Sequence, residues 1–143
     1  MGQRSNIVSL KVGRLIEVRV AAGFRDESDV DAFFATFVAE MIRAPAGQRI
    51  VTVADWRRWP IMDERAAERF AQRMSGNNPR VARSAALVSA ESPIANLQFA
   101  RLIRESNLDD RRMFTSAAAL MTWLAEVLTP QEQARLRVFL SEG

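Results

Sequence analysis

The 143-residue chain has no histidine, no cysteine and no tyrosine, and Lys11 is its only lysine. These absences exclude much of enzyme chemistry before any motif is considered. Without His or Cys there is no Ser-His-Asp triad, no Cys-His pair, no thiolate nucleophile and no ordinary zinc site. A Schiff base would rest on one lysine near a strand end. No Gly-rich phosphate loop is present, since Gly13, Gly23 and Gly47 stand isolated. An enzyme built on this chain would have to work with Asp, Glu, Arg and Ser alone. The expectation is therefore a non-enzyme, with no catalytic residue, no metal site and no cofactor assigned.

Long hydrophobic runs are missing too. No stretch approaches the roughly 18 uninterrupted apolar residues of a membrane helix, and the first residues carry no apolar core of a secretory signal. The expectation is a soluble, cytoplasmic protein without a transmembrane segment. Clustered basic charge is also scarce. Twenty basic residues face 17 acidic ones for a net charge of +3. The sequence pI of 10.8 is largely arithmetic, because few groups here titrate between about pH 6 and 10. The longest basic runs are the pairs Arg57-Arg58 and Arg111-Arg112. A nucleic-acid face needs clustering on one surface, so no nucleic-acid partner is expected.

What is present is a good core. Hydrophobic residues make up 48% of the chain, and a domain of this length buries roughly 68–70% of its unfolded surface. Ile7 to Val12 alternates, with Val8, Leu10 and Val12 on one face. Leu15 to Val20 repeats the pattern, with Ile16, Val18 and Val20 inward and Glu17 and Arg19 outward. Gly13-Arg14 between them suits a two-residue hairpin turn. From Asp26 the period becomes 3.6: Val30, Phe33, Phe34, Phe37, Val38, Met41 and Ile42 form one stripe, read as core packing. Ser28 is the expected N-cap, and Pro45 and Gly47 end that helix.

Residues 49–55 form a β-branched apolar run, as expected of a strand covered on both faces. Residues 63–74 are helical, with Met62, Ala66, Phe70 and Met74 stacked at intervals of four and 75–79 as the breaker. A short buried strand follows at 85–89, then a helix to about Ser106 with Ser92 as cap and Pro93 in its first turn. An edge strand at 112–114, a helix at 116–127 and a final helix opened by the capping box Thr129-Pro130-Gln131-Glu132 complete the chain. The order β-β-α-β-α-β-α-β-α-α argues for an α/β fold: a mixed, mostly parallel sheet of about five strands with packed helices. One domain is expected over 1–143, with a core of about residues 6–127 and an extra C-terminal helix at about 129–141.

The hairpin, this element order and the segment VTVADWRRWPIMDERAAERF resemble a STAS domain (sulfate transporter and anti-sigma factor antagonist). Asp55-Trp56 matches the family's Asp-Leu strand end, and Ile61-Met62-Asp63 matches the residues leading into its next helix. The tail RMFTSAAALMTWL is similar to the last strand and helix of such domains. The resemblance implies a regulatory module that binds a protein partner, such as an anti-sigma-type regulator. In anti-sigma factor antagonists the serine directly after the aspartate is phosphorylated. Here that position is Glu64, followed by Arg65 and Ala66. Glutamate carries −1 and a planar head, against −1.5 to −2 and three acceptor oxygens for a phosphate. The resemblance therefore implies a divergent member without the serine phospho-switch, akin to relatives discussed beside lipid-binding CRAL-TRIO domains.

The same loop has a physical reading of its own. Open parallel sheets place ligand crevices outside the carboxyl ends of their strands, and a helix N-terminus favours anions. The partner- or ligand-binding candidates are Asp55, Trp56, Arg57, Arg58, Trp59, Asp63 and Glu64. Trp and Arg are enriched at interface hot spots. Two readings stand: a binding patch, or one Trp filling the core with the arginines solvated or paired to Asp55 or Asp63. Asp63 also fits an N-cap. A small lipid or anion held in a crevice under the loop is the alternative to a protein partner. Ile94, Leu97, Phe99, Leu102 and Ile103 make the helix from Pro93 apolar on more than one side. Together with Leu136, Val138, Phe139 and Leu140 of the last helix, that suggests a homodimer contact.

Overall fold

The expected hairpin forms, with one register shift between Leu10 and Val12. β1 (Ile7–Val12) and β2 (Leu15–Arg19) pair antiparallel, with Val12 opposite Leu15 across the Gly13-Arg14 turn. Gly13 takes φ +58° there, a conformation that costs other residues about 1–2 kcal/mol. The computed structural model describes residues 6–58 and 62–142. The remaining elements are α1 (Glu27–Ile42), β3 (Ile50–Asp55), α2 (Glu64–Asn77), β4 (Val81–Leu87), α3 (Pro93–Glu105), β5 (Arg111–Phe114), α4 (Ala117–Ala125) and α5 (Pro130–Ser141). The strands lie in the order β1-β2-β3-β4-β5, parallel from β2 onward. The fold is the expected α/β arrangement with a five-stranded mixed sheet.

Two cores sandwich the sheet. Ile16, Val18 and Ile50 meet α1, α2 and α3 on one face. Leu15, Val51, Val53, Ala85 and Leu87 meet α4 and α5 on the other. Each β-α-β crossover moves one strand along in the same direction, so α1 to α3 share a face. Phe70 is the hub of their core, with ring centroids 5.4 Å from Phe24, 4.8 Å from Phe34 and 5.4 Å from Trp56.

Several local expectations change. Glu17 does not point to solvent. It is 3% exposed and receives a bidentate ion pair from Arg135 on α5 at 2.6 and 2.7 Å. Arg19 on the same face lies over the Phe139 ring at 4.4 Å. The polar positions of β2 are polar because a charged helix covers them, not water. Asp26 rather than Ser28 caps α1, its side chain accepting from Asp29 N, and Ile42 at the end of the stripe is 65% exposed. α2 runs through Ser75, Gly76 and Asn77 and stops only at the 3-10 turn Asn78–Arg80, where Pro79 ends the hydrogen-bonding series. β4 starts four residues earlier than its apolar run, since Arg83 is covered by the Trp123 ring at 4.7 Å and paired to Glu126. Ser92 sits at the N-cap of α3 without a side-chain capping bond. The capping box of α5 forms as its sequence indicates.

α5 also bears on the homodimer expectation. Its Leu136, Phe139 and Leu140 are buried against the chain's own sheet. α3 and α5 lie on opposite faces, so their apolar residues do not form one contact.

Candidate functional site

The candidate loop begins where β3 leaves the sheet. Backbone pairing continues one residue past the strand: Val20 N donates to Asp55 O at 3.1 Å and Trp56 N to Leu87 O at 2.8 Å. Extended backbone sends successive side chains to opposite faces, and Asp55 and Trp56 part company accordingly. Trp56 turns to the α1–α3 side, 4% exposed, with its ring 5.4 Å from Phe70 and 4.9 Å from Phe99. Asp55, 6% exposed, joins the arginines. Arg57 donates to it from Nε and Nη2, each at 2.9 Å, and from its backbone N at 3.2 Å. Arg19 Nε adds a contact at 3.4 Å. Burial works to raise the Asp55 carboxyl, but the hydrogen bonds and charge of Arg57, with Arg19, outweigh it and hold the group below the usual carboxylate range.

The seven candidates therefore serve different ends. Trp56 fills the core, while Asp55 and Arg57 neutralise one another. Asp63 caps α2, its Oδ1 accepting from Ala66 N at 2.8 Å. Arg58 and Glu64 are exposed. Trp59 lies outside the described residues. The loop's far end is fastened to α3: Met62 N donates to Gln98 Oε1 at 2.9 Å, and Gln98 Nε2 donates to Met62 O at 2.7 Å. Met62 itself is 4% exposed.

That fastening brings a second set of residues to the loop. Ile94, Leu97, Gln98 and Arg101 recur at three- and four-residue intervals and so share one stripe of α3. Ile94 is 69% and Leu97 73% exposed. Between α2 and α3 runs a groove lined by Glu64, Glu68, Gln98, Arg101 and Glu105. Directly beneath the loop the recess beside Trp56, Arg57, Ser92 and Asn96 has only about 10 Å³, about the room of one water.

Sequence reasoning named Ile94 and Leu97 with Phe99, Leu102 and Ile103 for a homodimer contact, but did not separate these two outward residues from the inward ones or link them to the loop. The all-round apolar character of α3 was the available signal, since a helix with one core face leaves its other apolar residues outside. Arg111 was also missed, since the expected edge strand began one residue later, at 112. Alternation within β5 puts it in register with the inward Met113, and it is 7% exposed. No protein-family model and no curated protein matches the chain.

Proposed function

We propose that this chain is a non-enzymatic interaction module that engages a protein partner with the surface formed by Arg58, Asp63, the first turn of α2 and the outward stripe of α3. The observation that carries the reading is the pair Ile94 and Leu97, exposed on the helix that Gln98 fastens to the loop. Exposed apolar anchors with adjacent charged groups match the anatomy of interface centres and rims. Arg58, Glu64 and Arg101 supply the charged surround.

The resemblance to STAS domains supports the same assignment, as do the hairpin-first sheet and the loop's place at the carboxyl end of β3. On that resemblance the partner class is an anti-sigma-type regulator, engaged without a serine phospho-switch because Glu64 holds the position. We place this role in the cytoplasm; among the described residues no helix is long and apolar enough to cross a membrane. A second copy of the chain is the other candidate occupant, through α3 alone.

Capture of partners from a lysate of the source cells tests the reading. The wild-type chain should retain a protein in stoichiometric amount, and Leu97→Glu should lose it. At 73% exposure that substitution should change folding stability by no more than about 0.5 kcal/mol. Equal retention by both chains would contradict the assignment.

A further inference from the structure

A row of polar side chains crosses the middle of the sheet on its α1–α3 face. Thr52, Ser84 and Arg111 are register partners on β3, β4 and β5, so all three point to one face of the sheet, where Phe, Trp, Val and Met side chains and the Asn77 amide complete the surroundings. The next positions along the strands are small, Ala54 and Ala86. Small side chains opposite large aromatic ones leave space, and a cavity of about 60 Å³ opens between this row and Phe34, Phe70, Trp56 and Phe99. That is several times the ~10–15 Å³ that one water needs.

The polar row is only half satisfied. Arg111 Nη1 donates to Asn78 Oδ1 at 2.9 Å and to Ser106 Oγ at 2.8 Å. Its Nε is buried and finds no acceptor. No carboxylate pairs with it among the described residues, and burial alone lowers its guanidinium to about 10; at neutral pH it is still a cation. The Thr52 and Ser84 hydroxyls share one hydrogen bond, Oγ1 to Oγ at 2.8 Å, so one of their two protons is left without an acceptor among the described residues. A buried cation without a counter-charge is costly, and buried cations are normally paired. Asn78 and Ser106 both hold Nη1 and leave Nε over.

We propose that this cavity is a binding site for a small monocarboxylate of about the size of acetate or propionate. The carboxylate would accept from Arg111 Nε and Ser84 Oγ, and the alkyl group would lie against Phe70 and Trp56. A carboxylate supplies the missing charge and accepts both free protons, and the apolar wall suits a methyl or ethyl group. The size follows from the volume, well below the roughly 150 Å³ of a cavity that admits benzene. The site lies behind the proposed interaction surface, sharing Trp56 with its loop and Phe99 with α3, but it does not rest on that reading.

The test uses the full chain and four probes at matched ionic strength: sodium acetate, sodium propionate, neutral acetamide and sodium chloride. The Arg111 Nε–H resonance should move saturably with acetate or propionate, and the thermal midpoint should rise with it. Acetamide and chloride should do neither. Ser84→Ala removes one donor and should weaken carboxylate binding about fivefold to tenfold. Ala86→Leu fills the cavity and should abolish the response while Arg111 remains. A response to chloride equal to that of acetate would overturn the carboxylate assignment. An Arg111 resonance that no carboxylate moves would leave the cavity to water and overturn the site.

Discussion

Gln98 on α3 and Met62 at the end of the loop hold each other by both polar groups, donating and accepting at 2.7 and 2.9 Å. A side-chain amide thereby imitates a backbone partner. It stitches the loop leaving β3 to a helix that follows the next strand, and it sets Glu64 in the first turn of α2 beside Gln98 and Arg101 of α3.

Removing that amide should free the loop without unfolding the domain. Gln98→Ala leaves the Met62 N–H and C=O, in a residue 4% exposed, without their partners. The expected loss is about 1–3 kcal/mol. Hydrogen exchange should show the opening locally: the Met62 amide should exchange much faster, and amides in α4 and α5 only in proportion to global stability.

Arg135 and Glu17 give a sharper mutational contrast. Arg135→Ala leaves a 3% exposed carboxylate without its bidentate partner, and the cost should be about 3 kcal/mol. Replacing both residues by methionine should recover most of that loss, since the desolvation of both charges disappears with the pair. Urea denaturation of the single and the double variant checks this.

Gly13 and Gly47 both have positive φ, +58° and +78°, but only one is crowded. A Cβ at Gly13 would lie 2.3 Å from Glu132 Oε2. Glu132 is the capping-box residue of α5 and also accepts from Arg14 N at 2.8 Å. Gly13→Ala must therefore combine backbone strain with a displaced cap, for at least about 2 kcal/mol. Gly47→Ala meets no atom within 4 Å and should cost only the strain, about 1–2 kcal/mol.

Stability should change with pH only at the acid end over the ordinary range. Arg69 and Arg73 hold the Asp31 carboxyl down at about 2. The Leu10 backbone N–H and Arg43 lower Glu40, and Arg57 with Arg19 lowers Asp55 against the effect of its burial. As pH falls past about 4, the unfolded chain takes up these protons first. The stability present above that pH is lost as pH falls toward 2. With no histidine or cysteine, urea midpoints should be nearly level from about pH 5 to 9. A transition near pH 6–7 would contradict the account.

The elements were legible because their periodicities were clean, and the sheet's mixed character followed from a hairpin followed by alternating helices and strands. Glu17 was read as outward, and Arg83 and Arg111 fell outside the expected strands, for one shared cause. Glu17, Arg83 and Arg111 sit at inward or covered strand positions. Each is polar because of a partner far away in sequence, such as Arg135 or Trp123, or because of a cavity. Local pattern reads polarity as exposure, and only the tertiary fold shows which charges are buried. The candidate loop was placed correctly at the carboxyl end of β3. The division of labour within it was not legible, because Asp55 and Trp56 diverge to opposite faces and the exposed apolar pair comes from another helix.

The central claim is that Arg58, Asp63, the first turn of α2 and the outward stripe of α3 form a partner surface. Hydroxyl-radical labelling of side chains in the chain alone and in its captured complex tests this most directly. Labelling of Ile94 and Leu97, exposed at 69% and 73% when free, should fall strongly in the complex, while Ile42 at 65% and Val138 at 47% stay as labelled as before. Unchanged labelling of Ile94 and Leu97, with protection appearing at Val138 or Ile42 instead, would contradict it.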